Sequence, residues 1–182
     1  MALELERKFL VKQMPDDLPK KSAMFISQSY LVTGEEEVRV RGYGRKYYLT
    51  IKKGVGEMGV RQEHELEITK ETAGSLFSLT PCKSLQKRRY QGVLTKPKGQ
   101  KFCIDVYTNP EIKGLRVVEF EFDNKADMKC FEPPEWAGLE VTGWDDFKNQ
   151  SLWRRINASS TEGEKTPLNN GEAGDCMPWT DS

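Results

Sequence analysis

A single histidine, His64, stands among 182 residues, and that scarcity removes whole classes of chemistry. A zinc centre built on His and Cys, or a nucleophile relay of the Ser/His/Asp kind, lacks its imidazoles. Any metal bound here is therefore expected to be a hard ion held by carboxylates. His64 itself reads as structural or exposed. The four cysteines, Cys82, Cys103, Cys130 and Cys176, are scattered and form no C-x-x-C pair, which fits reduced thiols in a cytosol better than a disulfide framework. Long apolar runs are missing as well: nothing approaches the roughly 20 residues of a spanning helix. The N-terminus carries no basic segment followed by an apolar one, so no export signal is read and the expected location is cytoplasmic. A charge excess of one sign is also absent, with 28 Lys+Arg against 28 Asp+Glu.

What the chain has is charge of both signs in quantity, 31% of its residues against 37% hydrophobic, unevenly placed. From Asn157 to Ser182 five acids face the single base Lys165, so residues 1–156 carry an excess of four bases. That excess suits an anionic ligand and is too small for a nucleic-acid surface. The segment 157–182 is rich in Ser, Thr, Gly, Asn and Pro and has no hydrophobic period. It reads as a disordered acidic tail behind one folded domain, 1–156.

Before that boundary, short extended segments recur with turn residues between them. Strands are expected at about 3–11, 26–32, 36–41, 46–52, 60–68, 86–93, 101–107 and 115–122. "GYGR", "KGVGEMG" and "KPKGQ" carry Gly or Pro where neighbouring strands must reverse. Helices are expected at "TKETAGSLFSL" with Thr69 as N-cap, at "NKADMKCF" from Asn124 to the stop at Pro133 and Pro134, and at "DDFKNQSLWRRI". The acids of that last segment suit a helix start, and Arg154 and Arg155 suit its end. The fold class is α+β, mainly antiparallel β, an eight-stranded barrel or strongly curved sheet. "GVGEMG", residues 54–59, matches G-x-G-x-x-G after a strand. The adjoining "VRQEHELEI" alternates like another strand and offers no helix N-terminus to a pyrophosphate, so the glycine motif reads as a hairpin loop.

The alternation has a consistent content. "ELERKFL" sets Glu4, Glu6 and Lys8 against Leu3, Leu5 and Phe9. Arg39 and Arg41 oppose Val38 and Val40, and Lys52 opposes Leu49 and Ile51. Arg61, Glu63, Glu65 and Glu67 share a side, as do Lys87 and Arg89. Asp105 opposes Ile104 and Val106, and Glu119 and Glu121 oppose Val118, Phe120 and Phe122. Most of the sheet thus has one apolar face and one face with both signs of charge. Facing outward, the charges would leave an ordinary apolar barrel core. Facing inward, they would line a wet tunnel, since a dry interior with so many ions would cost several kcal/mol for each unpaired one. The Arg content, suited to phosphate oxygens, and the i, i+2 carboxylate pairs, suited to a divalent cation, lean inward. Periodicity alone does not choose.

Taken in order, E-x-E-x-K at Glu4, Glu6 and Lys8, then "QSYL", "VRVR", "LTIKK", "RQEHE", "QKRRYQG", "IDV", "VVEFEF" and "EVT…FKN" resemble the CYTH superfamily, the triphosphate tunnel metalloenzymes. The resemblance spans roughly residues 3–153. It implies a closed eight-stranded antiparallel barrel with the charged face inside and a few covering helices. It also implies a triphosphate held with Mg2+ or Mn2+. The chain is most similar to the short bacterial members that hydrolyse inorganic triphosphate to pyrophosphate and phosphate. Carried over by position, Glu4, Glu6, Glu63, Glu65, Asp105, Glu119 and Glu121 would form the metal side. Lys8, Arg39, Arg41, Lys52, Arg61 and Arg89 would grip phosphate oxygens, and Lys148 could reach the tunnel from the last helix. Lys87 and Tyr30 resemble the pair that activates water in the triphosphatases. As a base, Lys87 needs a depressed pKa, which Arg89 and other nearby cations would supply; left protonated, it would only bind phosphate.

The departure from the pattern is "EVTGWDDFKNQSLW", where Trp144 and Asp146 stand at an acid and a basic position, which bears on how the last helix plugs one tunnel end. The rival readings are a nucleotide-processing relative, such as a class IV adenylate cyclase or a nucleoside or thiamine triphosphatase, and a polyphosphate-binding module without turnover. The expected partner is a triphosphate-containing small molecule, with no membrane and no strong nucleic-acid signal. A homodimer is compatible with the sequence and not encoded in it.

Overall fold

Alternating apolar and charged residues become strands wherever the alternation is sustained. The computed structural model describes residues 2–16, 18, 23–80 and 82–158. Its first eight strands are β1 (Ala2–Val11), β2 (Met24–Val32), β3 (Glu36–Tyr43), β4 (Lys46–Gly54), β5 (Val60–Ile68), β6 (Leu85–Val93), β7 (Lys101–Tyr107) and β8 (Arg116–Glu121). All eight expected strands are present, with ends displaced by at most two residues. Every pairing is antiparallel in the order β5-β4-β3-β2-β6-β7-β8-β1, and β5 pairs back on β1 to close the barrel.

A ninth strand, β9 (Ala137–Glu140), lies outside the sequence expectation. Its four residues show no alternation of their own; β1 makes them a strand by pairing Phe9 with Glu140 and Val11 with Ala137. One edge of β1 thus serves β5 along Ala2–Leu5 and β9 further on. Between the two, Gly59 passes against the β1 backbone with φ +75°, where a Cβ would stand 2.5 Å from the Glu6 carbonyl oxygen. Glycine alone tolerates that approach, and it lets the Glu6 N–H donate to the Gly59 carbonyl at 2.9 Å.

Helices α1 (Lys70–Ser78) and α2 (Lys125–Cys130) start where expected, on the side-chain caps of Thr69 and Asn124. The expected helix from Asp145 onward is split. Asp145–Phe147 form one 3-10 turn, Lys148 is extended, and α3 (Asn149–Ala158) comes next. The cause is local: the Lys148 N–H bonds back to Asp145, while its carbonyl accepts from Ser151 and Leu152 and so opens a new helix. The boundary read near Ile156 falls inside α3, and the rest of the expected tail, 159–182, lies outside the described residues. Among those described, no helix is long and apolar enough to cross a membrane. Cys82, Cys103 and Cys130 are free thiols, and His64 is exposed.

Two apolar clusters hold the barrel, and their placement answers the question periodicity left open. The larger coats the outside: Phe9, Phe102, Ile104, Val118, Phe120 and Phe122 are covered by Met128 of α2 and by Phe131. Phe120 is fully buried, with ring centroids of Phe131 at 4.6 Å and Phe9 at 5.7 Å. Burial of one such side chain contributes about 1.5–3 kcal/mol, and it turns Glu119 and Glu121, on either side of Phe120, inward. The smaller cluster lies at one end of the bore, where Leu152 and Ile156 of α3 pack on Leu85, Tyr107 and Val117. Those three share strand parity with Lys87, Asp105 and Glu119, so they too point inward. Helix α3 therefore stops that end with apolar side chains and gives the bore a floor.

Candidate active site

The charged face lines the interior. A cavity of about 540 Å3 lies inside the barrel, bounded by nine acids and seven bases, within the size range of small-molecule sites. Of the expected site residues, Glu4, Glu6, Glu63, Glu65, Glu119 and Glu121 line it, as do Lys8, Arg39, Arg41, Lys52, Arg61, Arg89 and Lys148. Lys87, Asp105 and Tyr30 are buried behind that lining, at 0%, 0% and 3% exposure.

Most of the lining charges are paired across strands. Lys52 donates to both oxygens of Glu4 at 2.7 Å and stands 3.0 Å from Glu63. Lys8 lies 3.0 Å from Glu119 and 3.6 Å from Glu6. Burial pulls Lys8 down, but the Glu119 and Glu6 carboxylates outweigh it and hold the ammonium above its ordinary range. Arg89 donates to both oxygens of Asp105 at 2.7 Å and to Glu119 at 2.8 Å. Against the effect of burial, Arg89 and Lys87 keep Asp105 below the usual carboxylate range, and Lys8, Arg89 and Lys87 keep Glu119 well below it.

The charges left over are informative. Among the described residues Arg41 has only Glu65 as an ion-pair partner, 3.9 Å away, and burial together with Arg39 and Arg89 brings its guanidinium down to about 10. The Nε atoms of Arg39 and Arg41 are buried with no hydrogen-bond partner among the described residues. A stranded donor of this kind costs about 1–3 kcal/mol. On the acid side, Glu6 and Glu121 sit opposite each other across β1 and β8. Burial pushes both carboxyls up, and neighbouring carboxylates add to the rise: Glu119 and Glu4 act on Glu6, and Glu119, Glu4 and Glu6 on Glu121. The bore thus holds unneutralised positive charge at Arg41 and unneutralised negative charge around Glu6. Among the described residues, no group of three or more His, Cys, Asp or Glu side chains is arranged to hold a metal ion as it stands; the acids are drawn instead onto neighbouring bases.

No hydrogen bond joins Lys87 to Tyr30 among the described residues. On β2 the residue opposite Lys87 is Ile26, and Tyr30 lies four positions further along, about 13 Å at strand rise. The Tyr30 hydroxyl accepts from Gln28 Nε2 at 2.7 Å. Opposite Lys87 on the other side is Tyr107, whose ring centroid is 5.6 Å from Nζ. Lys87 Nζ donates to Asp105 Oδ2 at 2.6 Å and to Asn149 Oδ1 at 3.3 Å. Its ammonium is brought down to about 8 by burial first and by Arg89 and Arg41, against the pull of Asp105. The expected depression is therefore present, with desolvation rather than Arg89 as its main cause. Asp105, expected on the metal side, has both oxygens occupied by Lys87 and Arg89 and serves to fix those two cations.

Several residues of the site escape the sequence reading. Glu37, 2% exposed, lies 3.7 Å from Arg39 and 3.5 Å from Arg61; extending the Arg41, Arg39 parity by one step would have found it. Thr50 donates to Glu65 at 2.9 Å. Tyr107 and Asn149 are neutral and carry no charge pattern. Lys148 lines the cavity but pairs with Asp145 at 2.6 Å. Trp144, 51% exposed, and Phe147 also border the cavity, with ring centroids 6.2 Å apart.

No family model matches the chain. Over 151 residues it is 37% identical to an inorganic triphosphatase of Nitrosomonas europaea, covering 82% of this chain and 95% of that one. Over 153 residues it is 29% identical to an inorganic triphosphatase of Acetivibrio thermocellus, covering 84% and 94%. A crystal structure of an inorganic triphosphatase superposes with a TM-score of 0.61 at 35% identity, covering 84% of this chain and 95% of that one. With its closed antiparallel barrel and its charged face turned inward, the chain belongs to the CYTH superfamily of triphosphate tunnel proteins.

Proposed function

We propose that the protein hydrolyses a linear triphosphate, inorganic triphosphate before others, to pyrophosphate and phosphate inside the barrel. The identity to inorganic triphosphatases over nearly their whole length supports the activity. The observation that carries the reading is the pairing pattern of the bore: its fixed charges nearly cancel, and the remainder is separated into a cation-poor side and an anion-poor side. A polyanion alone gains little from a lining with two more acids than bases. A polyanion that brings divalent cations satisfies both sides.

The donor set fits a hard ion. Glu6 and Glu121, with Glu4 and Glu119 beside them, supply only oxygen, and the mutual repulsion that raises Glu6 and Glu121 is what a cation would relieve. We assign Mg2+ or Mn2+ to these acids, where it would offset phosphoryl charge and orient water. Arg41 and Arg39, whose Nε donors lack hydrogen-bond partners among the described residues, take phosphoryl oxygens, and Arg89, Lys8, Lys52 and Arg61 surround them. Charge developing on the transferred phosphoryl group is met by guanidiniums already in place, so positioning and electrostatics carry most of the catalysis. Lys87, near 8 and fixed by Asp105, is suited to accept a proton from the attacking water. Its burial behind the lining puts that step at the floor of the bore. We place the protein in the cytoplasm, on the strength of the three free thiols among the described residues.

One observation favours a second reading. Trp144 and Phe147 give the rim of the cavity an aromatic surface on which a nucleobase or thiazolium could rest. The test of both readings is phosphate release from inorganic triphosphate, pyrophosphate, ATP and thiamine triphosphate with Mg2+ or Mn2+. Fastest turnover of inorganic triphosphate is expected; cleavage of ATP without cleavage of triphosphate would overturn the substrate assignment. Tight binding without release would leave a polyphosphate-binding module.

A further inference from the structure

Asn149 is the first residue of α3, at the floor of the bore, and it borders the cavity. Its Oδ1 accepts two hydrogen bonds, from the Tyr107 hydroxyl at 2.7 Å and from Lys87 Nζ at 3.3 Å. An ammonium only donates, so the amide atom facing Lys87 must be the oxygen, and the two donors together fix which way the amide is turned. The Nδ2 group is left on the other side with no acceptor among the described residues. Tyr107 is itself held in place: it is 2% exposed, paired across the sheet with Lys87, and packed in the apolar cluster under α3. A side-chain amide whose oxygen is tied down by two buried groups, and whose N–H2 borders a cavity lined by guanidiniums, is built to donate to an anion.

We propose that Asn149 is a substrate-binding residue that donates Nδ2–H to an oxygen of the phosphoryl group lying against the floor, and that Tyr107 is the positioning residue that keeps the amide in this orientation. The inference rests on the reading of the cavity as a triphosphate site. It gives the floor of the bore a neutral donor next to Lys87, so the phosphoryl group nearest the proton acceptor is oriented without further positive charge there.

The test is calorimetric binding of a non-hydrolysable triphosphate analogue to the full chain with Mg2+, run on wild type, Asn149→Ala, Tyr107→Phe and the double variant. A hydrogen bond to a charged acceptor implies that Asn149→Ala weakens binding about 10- to 100-fold. Tyr107→Phe removes one hydroxyl, frees the amide to turn, and should weaken binding about threefold to tenfold, the range of one neutral hydrogen bond. In the double variant the Tyr107 effect should vanish, because there is no amide left to orient. That non-additivity is a readout that general loosening of α3 would not produce. Unchanged affinity in Asn149→Ala, or effects of the two substitutions that simply multiply, would overturn the inference while leaving the triphosphate reading intact. Failure of the wild type to bind the analogue would overturn the triphosphate reading itself.

Discussion

Replacing Arg41 or Arg89 with methionine should separate binding from stability, because the two buried guanidiniums are compensated so differently. Arg89 donates to Asp105 at 2.7 Å twice and to Glu119 at 2.8 Å. Removing it takes away three buried charge-assisted bonds and leaves Asp105 to Lys87 alone and Glu119 to Lys8, and Arg89→Met is expected to cost about 3 kcal/mol of folding stability. Arg41 has one carboxylate at 3.9 Å and is brought to about 10 by burial and by Arg39 and Arg89. A cation depressed in the folded state is a net liability there, on the order of 3 kcal/mol for this displacement. The methionine keeps most of the apolar stem. Arg41→Met is therefore expected to leave unfolding in urea unchanged or to stabilise the protein by about 1 kcal/mol. Its cost falls on the ligand: losing even one charge-assisted bond to a phosphoryl oxygen, about 1.5–3 kcal/mol, raises KM for triphosphate about 10- to 100-fold. The assays are urea denaturation and steady-state phosphate release. If Arg41→Met loses as much stability as Arg89→Met, or keeps the wild-type KM, then Arg41 is not the uncompensated charge of this site and the charge argument fails.

The same geometry sets three further outcomes. Glu6→Gln removes a carboxyl raised by burial and by Glu119 and Glu4, so it should abolish activation by Mg2+ or Mn2+ without lowering the melting temperature; a wild-type metal titration would contradict the role given to Glu6. Lys87 can accept a proton only when neutral, so log(kcat/KM) should climb with unit slope as pH rises toward about 8 and then level off; a flat profile from about pH 6 to pH 9 would make Lys87 a fixed phosphate-binding charge. Outside the bore, Arg7 forks onto Glu140 at 2.9 and 2.6 Å and also donates to the Phe131 carbonyl at 2.7 Å. The hydrogen bond from Arg7 holds Glu140 below its ordinary pKa, so this stabilisation is present above the unfolded value of about 4.3 and is lost as pH falls through the lower folded one. Because Glu140 is 39% exposed, Glu140→Gln should cost only about 1 kcal/mol at neutral pH. The difference from wild type should shrink below about pH 4, and an equal deficit at both pH values would contradict the ion-pair account.

Much of the barrel is legible in the sequence because period-two alternation is a local property. "VVEFEF" must put Phe120 on one side and Glu119 and Glu121 on the other whatever surrounds it. Which side is inside is not local. Either facing satisfies the alternation, and the decision comes from outer cover, with Phe131, Met128 and Trp136 packed against the apolar face. β9 is invisible for a related reason: Ala137–Glu140 becomes a strand only because β1 offers a free edge past Gly59. The split at Lys148 turns on backbone carbonyls rather than residue type, and helix propensity alone runs straight through it. In the site, charged residues announce themselves by parity, whereas Tyr107 and Asn149 act through contacts across 42 positions of chain that no spacing rule reaches. Lys87 and Tyr30 come as a pair from the resemblance alone, and the register adds that four positions of β2 lie between Tyr30 and the residue facing Lys87.

The most direct test of the account is a crystal structure with Mn2+ and a non-hydrolysable triphosphate analogue, read by the anomalous signal of the metal. The expected result is a manganese peak inside the barrel against Glu6 and Glu121, with phosphoryl oxygens on Arg39 and Arg41. A peak on the outer surface, or an analogue bound away from Arg41 with the Lys52 and Glu4 pair undisturbed, would contradict it.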